Sequence, residues 1–411
     1  SQSANGRSCF HTLCFRHYLI NGTGKIIAKD EEVENGVVHT INAVLNPSTN
    51  TLPKQIEDQG FFHIMSEALK ATGYEDKLQG YKDETYTDGD LTAPSIYGDQ
   101  LVPYPANRYL GYTAFLEPDA LLFEHGINNF EDLAKKCAEW YPEADASAPY
   151  TSPTNPVNQF VGYHILDRNL PYSRLVCYKL KNGKWNSEDD FYDKTDRHEY
   201  YETMAGRLLK ITMPRSQASL QTTILLNYSK QKDPAVDQYM NAIVYKHEDF
   251  MALDLTYANF SSSALNGYIH PIDKILIYNE DVMAGRVLNM TIRFDASSLC
   301  SELTNNNIRW NFFSHTSDGE VFIPHTYCKN LKVYSDETHH YYLSPHHGWA
   351  NFQGDEMMTL DAFDFAYKLP PVPAGTYEIR MGYTANSLRH IIQFYVDNEV
   401  AGIPVDLRIS T

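Results

Sequence analysis

The chain has 411 residues, enough for two or three domains that each bury a core. Its formal charge of -18 argues against nucleic-acid backbones and anionic lipid as partners, and no run approaches the roughly 20 apolar residues of a bilayer span. The start of the chain shows no charged-then-apolar export signal, so membrane attachment is expected only through an anchor outside it.

Residues 1–48 end in Asn35-Gly-Val-Val-His39-Thr-Ile-Asn-Ala-Val-Leu45, which returns as Asn266-Gly-Tyr-Ile-His270-Pro-Ile-Asp-Lys-Ile-Leu276. The spacing far exceeds a solenoid period, so the repeated unit is a whole domain, and 1–48 is expected to be the tail of a truncated one. Asn-Gly is expected to make a tight turn because both residues tolerate positive φ. His39 and His270 hold equivalent positions in the two copies, which implies a shared packing role.

Residues 49–279 are expected to form one complete mixed domain with insertions at 79–111 and 182–199. Phe61, Ile64, Met65, Ala68 and Leu69 make a helical stripe that Gly73 stops. Asn128 or Asn129 caps a second helix carrying Leu133, Ala134, Cys137 and Ala138. Asn155 and Pro156 open a third, with Val157, Phe160, Val161, His164 and Ile165 on one side. Strand-like runs follow at 175–180, 208–213 and 222–226.

Beyond 280 the texture changes to alternation. Leu288, Met290, Ile292 and Phe294 form one such run, Tyr377, Ile379, Met381 and Tyr383 a second, and Ile403, Val405, Leu407 and Ile409 a third, with Asp397-Asn398 as a turn. The expected fold class is α+β, a mixed helix and strand domain followed by an all-β sandwich over 280–411. The six cysteines (Cys9, Cys14, Cys137, Cys177, Cys300, Cys328) show no CxxC pair, and are read as free, mostly buried thiols, with a Cys300–Cys328 disulfide as the alternative.

Three stretches carry a family resemblance. Tyr112-Thr113-Ala-Phe115-Leu-Glu-Pro118-Asp119-Ala120, Phe160-Val-Gly-Tyr163-His164-Ile-Leu166 and Asn266-Gly267-Tyr-Ile-His270-Pro-Ile272-Asp273-Lys-Ile-Leu276 resemble, in order, the motifs of the fasciclin (FAS1) domain. Thr203-Met-Ala-Gly206-Arg-Leu-Leu209 is similar to the segment between the last two. Glu117 and Leu121 depart from the family pattern. The resemblance implies an extracellular, non-enzymatic adhesion protein that binds a surface glycan or another extracellular protein, without cofactor. With a jelly-roll-like C-terminal part, it is similar to exported surface lipoproteins of gut Bacteroidetes, on the outer membrane of a Gram-negative cell. Tyr163-His164 matches the pair linked to receptor contact in animal fasciclin proteins, but His164 lies on an apolar helix stripe and reads as a hydrogen-bonded core residue.

One further segment holds side chains suited to chemistry. Between Asp336 and Phe352, Tyr341, Tyr342, Trp349 and Phe352 could offer flat faces to sugar rings, with His346 and His347 bonding hydroxyls. The histidines of 339–347 could instead ligate a transition metal in a hydrolase. The plain alternative is a structured loop with partly buried aromatics. His198-Glu199-Tyr-Tyr-Glu202 lacks the second histidine that a helical zinc site needs, and Asp88-Gly89-Asp90 lacks the other EF-hand ligands. No catalytic residue is assigned. A structural spacer remains the third reading.

Overall fold

The computed structural model describes residues 19–20, 24–33, 36–42, 48–96, 98–176, 196–214, 223–231, 233–309, 320–343, 353, 355–383 and 385–409. They divide into two compact units, Ser1–Val372 and Pro373–Thr411.

The three predicted helices of 49–279 form where the 3.6-residue period places them, as His63–Ala71, Phe130–Trp140 and Pro156–Tyr163. Asn129 accepts from the Asp132 N–H at 2.9 Å and Asn155 from the Val157 N–H at 2.8 Å, so each satisfies an N–H that a helix start leaves without a partner. Gly73, with φ at +73°, ends the first of these helices and admits the chain to the short helix Tyr74–Lys77.

These helices cover two four-stranded sheets. In one, the order is Ser263–Ala264, Gly267–Pro271, Tyr112–Leu116, Ile165–Leu166; in the other it is Ala242–Val244, Ile224–Leu226, Leu208–Met213, Arg197–Glu202. Gly267–Pro271 runs parallel to Tyr112–Leu116, with Gly267 opposite Tyr112 and Pro271 opposite Leu116. Two isolated bridges, Leu166 to Thr203 and Val244 to Ile272, join the sheets. The resulting core runs from Leu52 to Leu288.

Both copies of the repeat are the second strand of an antiparallel hairpin. Gly36–Ile41 pairs with Gly24–Val33 through Val33 opposite Gly36, and Gly267–Pro271 pairs with Ser263–Ala264 through Ala264 opposite Gly267, so two residues separate the strands in each. The expected reason for Asn-Gly does not hold at 266–267, because neither residue has positive φ. Gly267 is needed for closeness instead: a Cβ there would sit 2.4 Å from the Tyr112 carbonyl oxygen. The paired histidines also part company. His39 is exposed, whereas His270 is buried.

The alternating runs after 280 are mostly not strands. Residues 283–287 form a π-helical turn, Leu288 closes the main core, and 289–294 has no strand. Lys210 holds this stretch in place by donating from Nζ to the Val287 carbonyl at 3.0 Å. In 320–367, Glu320–Ile323, His339–Leu343 and Glu356–Leu360 make a three-stranded sheet, and Leu331–Val333 with Phe365–Tyr367 a two-stranded one. Ile323 and Tyr342 from the first sheet share a small core with Leu331 of the second and with Cys300, Leu303, Tyr327 and Cys328.

The opposite face of the three-stranded sheet is covered by the insertion 79–111. Its hairpin Thr92–Pro94 and Leu101–Pro103 buries Ala93 and Val102 against Phe322 and Tyr341, and Tyr104 stacks on Phe322 at 4.6 Å. The second unit holds the hairpin Ile391–Val396 and Glu399–Asp406. Asp397 and Asn398 both have positive φ, as a type I′ turn requires. Residues 377–383 form no strand, and the last strand ends at Asp406, short of Ile409.

Replacing Gly267 with Ala forces two backbones apart and is expected to cost at least ~2 kcal/mol, read as a lower midpoint of chemical denaturation. Gly285→Ala, where the added carbon meets open space, serves as the control and leaves the midpoint in place.

Candidate functional site

The family-motif residues come together, and they come together inside the protein. Thr113 Oγ1 donates to the Arg168 carbonyl at 2.5 Å and accepts from the Leu170 N–H at 3.0 Å. Phe115 and Ile272 are fully buried. Pro118 precedes the helix Asp119–Glu124, and the Asp119 carboxylate accepts from the His63 and Ile64 N–H groups at 2.9 and 3.1 Å, capping the neighbouring helix. Asn266 accepts from the Leu52 N–H at 2.8 Å and donates to the carbonyls of Leu78 and Gly80. Asp273 accepts from the Ile243 N–H at 2.5 Å.

Tyr163 and His164 are equally internal. The Tyr163 hydroxyl lies 3.0 Å from Asn227 Nδ2, which donates to it, and Asn227 holds φ at +50°. His164 Nδ1 faces the Phe160 carbonyl at 2.7 Å, so that nitrogen carries a proton. Its Nε2 meets Glu117 Oε1 at 2.9 Å, and the same oxygen accepts from the Leu276 N–H at 2.8 Å. Both side chains are completely shielded from solvent. Glu117, the departure from the family pattern, is therefore the partner of the motif histidine and the anchor of the chain after the closing strand.

His270 Nε2 lies 2.8 Å from the Leu170 carbonyl, and burial pushes its pKa down to about 4. His198 and His340 are pushed down to about 4 by the same cause.

The 336–352 segment is only partly described. His339 pairs with Asp361 at 2.7 Å, and His340 turns inward against the Phe365 ring. Tyr341 and Tyr342 are 4% and 1% exposed, one on each face of a sheet covered on both sides, so neither offers a free face to a sugar. His346, His347, Trp349 and Phe352 lie outside the described residues. Among the described residues, no three His, Cys, Asp or Glu side chains are grouped to hold a metal. The insertion 79–111 is engaged internally: Arg108 pairs with Asp83 at 2.8 Å and donates to the Thr326 carbonyl, and Glu320 accepts from Ser95 Oγ and the Ile96 N–H.

One buried cluster is invisible in the sequence because its members are far apart. Arg309 Nε donates to Asp355 at 2.9 Å, its Nη2 to Gln353, and Gln353 Nε2 donates to Glu199. Ser297 Oγ also donates to Asp355, and the Gln353 N–H to Asp295. Burial and the neighbouring Asp355 carboxyl push Asp295 up to about 8, with Arg309 opposing.

The most exposed apolar side chain among the described residues of the mixed domain, Leu255, lies at a loop tip. Leu253 is 53% exposed and Leu255 92% exposed, on either side of Asp254. Asp254 caps the turn Leu255–Tyr257 by accepting from the Thr256 N–H at 2.8 Å. Beneath it, Phe250 stacks on Tyr257 at 4.3 Å and meets Phe260 at 5.0 Å, while Phe61 meets Tyr257 at 5.1 Å. The aromatic packing holds the two leucines on a stiff base. The signal for this tip in the sequence was a pair of leucines around a turn-capping Asp.

No family model matches the chain. A stretch of 129 residues is 32% identical to the transforming growth factor-beta-induced protein ig-h3 of Sus scrofa, covering 30% of this chain and 17% of that relative. The chain thus spans far less than two thirds of the relative's length. Among solved structures, a FAS1 domain pair from the insect cell adhesion molecule Fasciclin I matches at 16% identity with a TM-score of 0.30, over 64% of this chain and 62% of that one. The sequence match, together with the motif residues placed above, supports a fasciclin-like domain in this chain. Among the described residues, no helix is long and apolar enough to cross a membrane.

Removing one member of the Glu117–His164 pair leaves the other buried without its partner. Glu117→Ala and His164→Ala are each expected to cost about 3–5 kcal/mol, and the double variant less than their sum, measured by a double-mutant cycle in denaturant.

The pH profile follows from signs. The three histidines have folded values below 6.5, so their contribution is complete above 6.5 and is lost as pH falls toward 4. Asp295 has a folded value above 3.8, so its contribution is present at low pH and is lost as pH rises toward 8. Thermal midpoints are expected to peak near pH 6.5, and Asp295→Asn should flatten the decline between pH 6.5 and 8.

Proposed function

We propose that this chain is a non-enzymatic adhesion module working outside the cell, and that the Leu253–Leu255 tip is its contact for another protein. The observation that carries this is Leu255, almost wholly exposed on a turn braced by packed rings. An apolar side chain held rigid in water loses little entropy on docking and gains from burial, which is what an interface anchor needs. The polar motif residues are consumed by the core, so they serve as scaffold for such a tip.

The finer reading is a surface lipoprotein of the gut Bacteroidetes type, attached to the outer membrane through an anchor outside this chain. Its C-terminal part would then have a carbohydrate-binding role, and Trp349, Phe352, His346 and His347 are the candidates for that glycan contact.

Surfaces coated with the protein should retain cultured cells, and Leu253→Asp with Leu255→Asp should reduce retention at least tenfold while leaving the thermal midpoint within about 2 °C. Retention that survives both charges removes the tip from the proposal. A glycan array that stays blank for the wild type removes the carbohydrate role, and one that binds should lose signal in Trp349→Ala.

A further inference from the structure

Two of the buried cysteines stand side by side in a way the adhesion reading does not use. Cys300 begins the helix Ser301–Asn305, and Cys328 precedes the strand Leu331–Val333. Both are buried free thiols of the same small core, and Cys300 is the neighbour that, after burial itself, pushes the Cys328 thiol up. The backbones around them are tied together independently. Asn330 Nδ2 donates to the Leu299 carbonyl at 2.9 Å, and the Lys329 N–H donates to the Glu302 carboxylate at 3.1 Å. The segments that carry the two cysteines are thus held together, within one core, by bonds that do not involve sulfur.

We propose that Cys300 and Cys328 are the two halves of a disulfide that forms as the chain folds under oxidising conditions. A thiolate from one cysteine attacks a small-molecule disulfide such as oxidised glutathione, giving a mixed disulfide and releasing one glutathione thiolate. The second cysteine's thiolate attacks the protein sulfur of that intermediate, the protein S–S bond forms, and the second glutathione leaves. Two protein thiols are oxidised, one small disulfide is reduced, and the two protons end on the released glutathione thiols. Because both sulfurs are buried in the folded chain, the exchange belongs to folding, before the core closes.

The bridge would fasten the part of the chain that receives the insertion. Next to Cys328, the Tyr327 hydroxyl donates to the Asn107 carbonyl at 3.0 Å, and the Thr326 carbonyl accepts from Arg108. Closing the loop between 300 and 328 restricts the unfolded chain, which raises the folded fraction.

The full chain is unfolded, refolded in a mixture of oxidised and reduced glutathione, alkylated and digested with trypsin. Cleavage after Arg293, Arg309 and Lys329 puts the two cysteines on separate peptides, 294–309 and 310–329. The expected result is one linked pair that separates on reduction and is absent from Cys300→Ser. The thermal midpoint of the oxidised protein should exceed that of the reduced protein by about 5 °C. Recovery of both peptides as alkylated thiols, as glutathione adducts or joined to other cysteines overturns the proposal, and equal midpoints overturn the stapling role. The adhesion reading enters only as the source of the oxidising surroundings, so a failure here leaves cell retention untouched.

Discussion

Two strands can lie in parallel register only where nothing stands between them, and at Gly267 that space is the missing Cβ beside the Tyr112 carbonyl. The residue before it, Asn266, reaches the start of the helix Leu52–Gln59 and the carbonyls of Leu78 and Gly80. Three segments that are distant in sequence are therefore fixed by one amide side chain next to one glycine. The chain after the strand is fixed in turn by Glu117, which receives the Leu276 N–H and faces His164. Helices, both sheets and the path out of the core are all arranged around this crossing.

The polar character of these residues follows from what they replace. Where strands end and loops enter the interior, backbone groups lose their ladder partners and water cannot reach them. Thr113 serves the chain at 168–170, Asp119 a helix start, Asp273 the neighbouring sheet, and His270 the Leu170 carbonyl. A polar side chain inside the protein here stands for a backbone bond that regular structure could not supply.

Much of the mixed domain was legible in its residues, because helix period, caps and the stopping glycine are local signals that tertiary contacts then reinforced. The reason for Asn-Gly was not legible: the pair looked like a turn requirement, and the close strand explains it instead. Alternation misled at 288–294, where Leu288 closes the main core and Ile292 packs against it while Met290 stays exposed. Tyr341 and Tyr342 looked like a free aromatic surface, and only the insertion's position shows that both sides of their strand are covered. The Arg309, Asp355 and Glu199 cluster depends on long-range placement and left no local mark.

The insertion at 79–111 has a bearing on how such a protein can change over generations. Tyr104, Arg108 and Ser95 spend their contacts on Phe322, Thr326 and Glu320, which belong to the following part of the chain. A gene rearrangement that moved either portion alone would strand an apolar hairpin in water and a carboxylate without its donors. The pair can be inherited, duplicated or lost only as one piece.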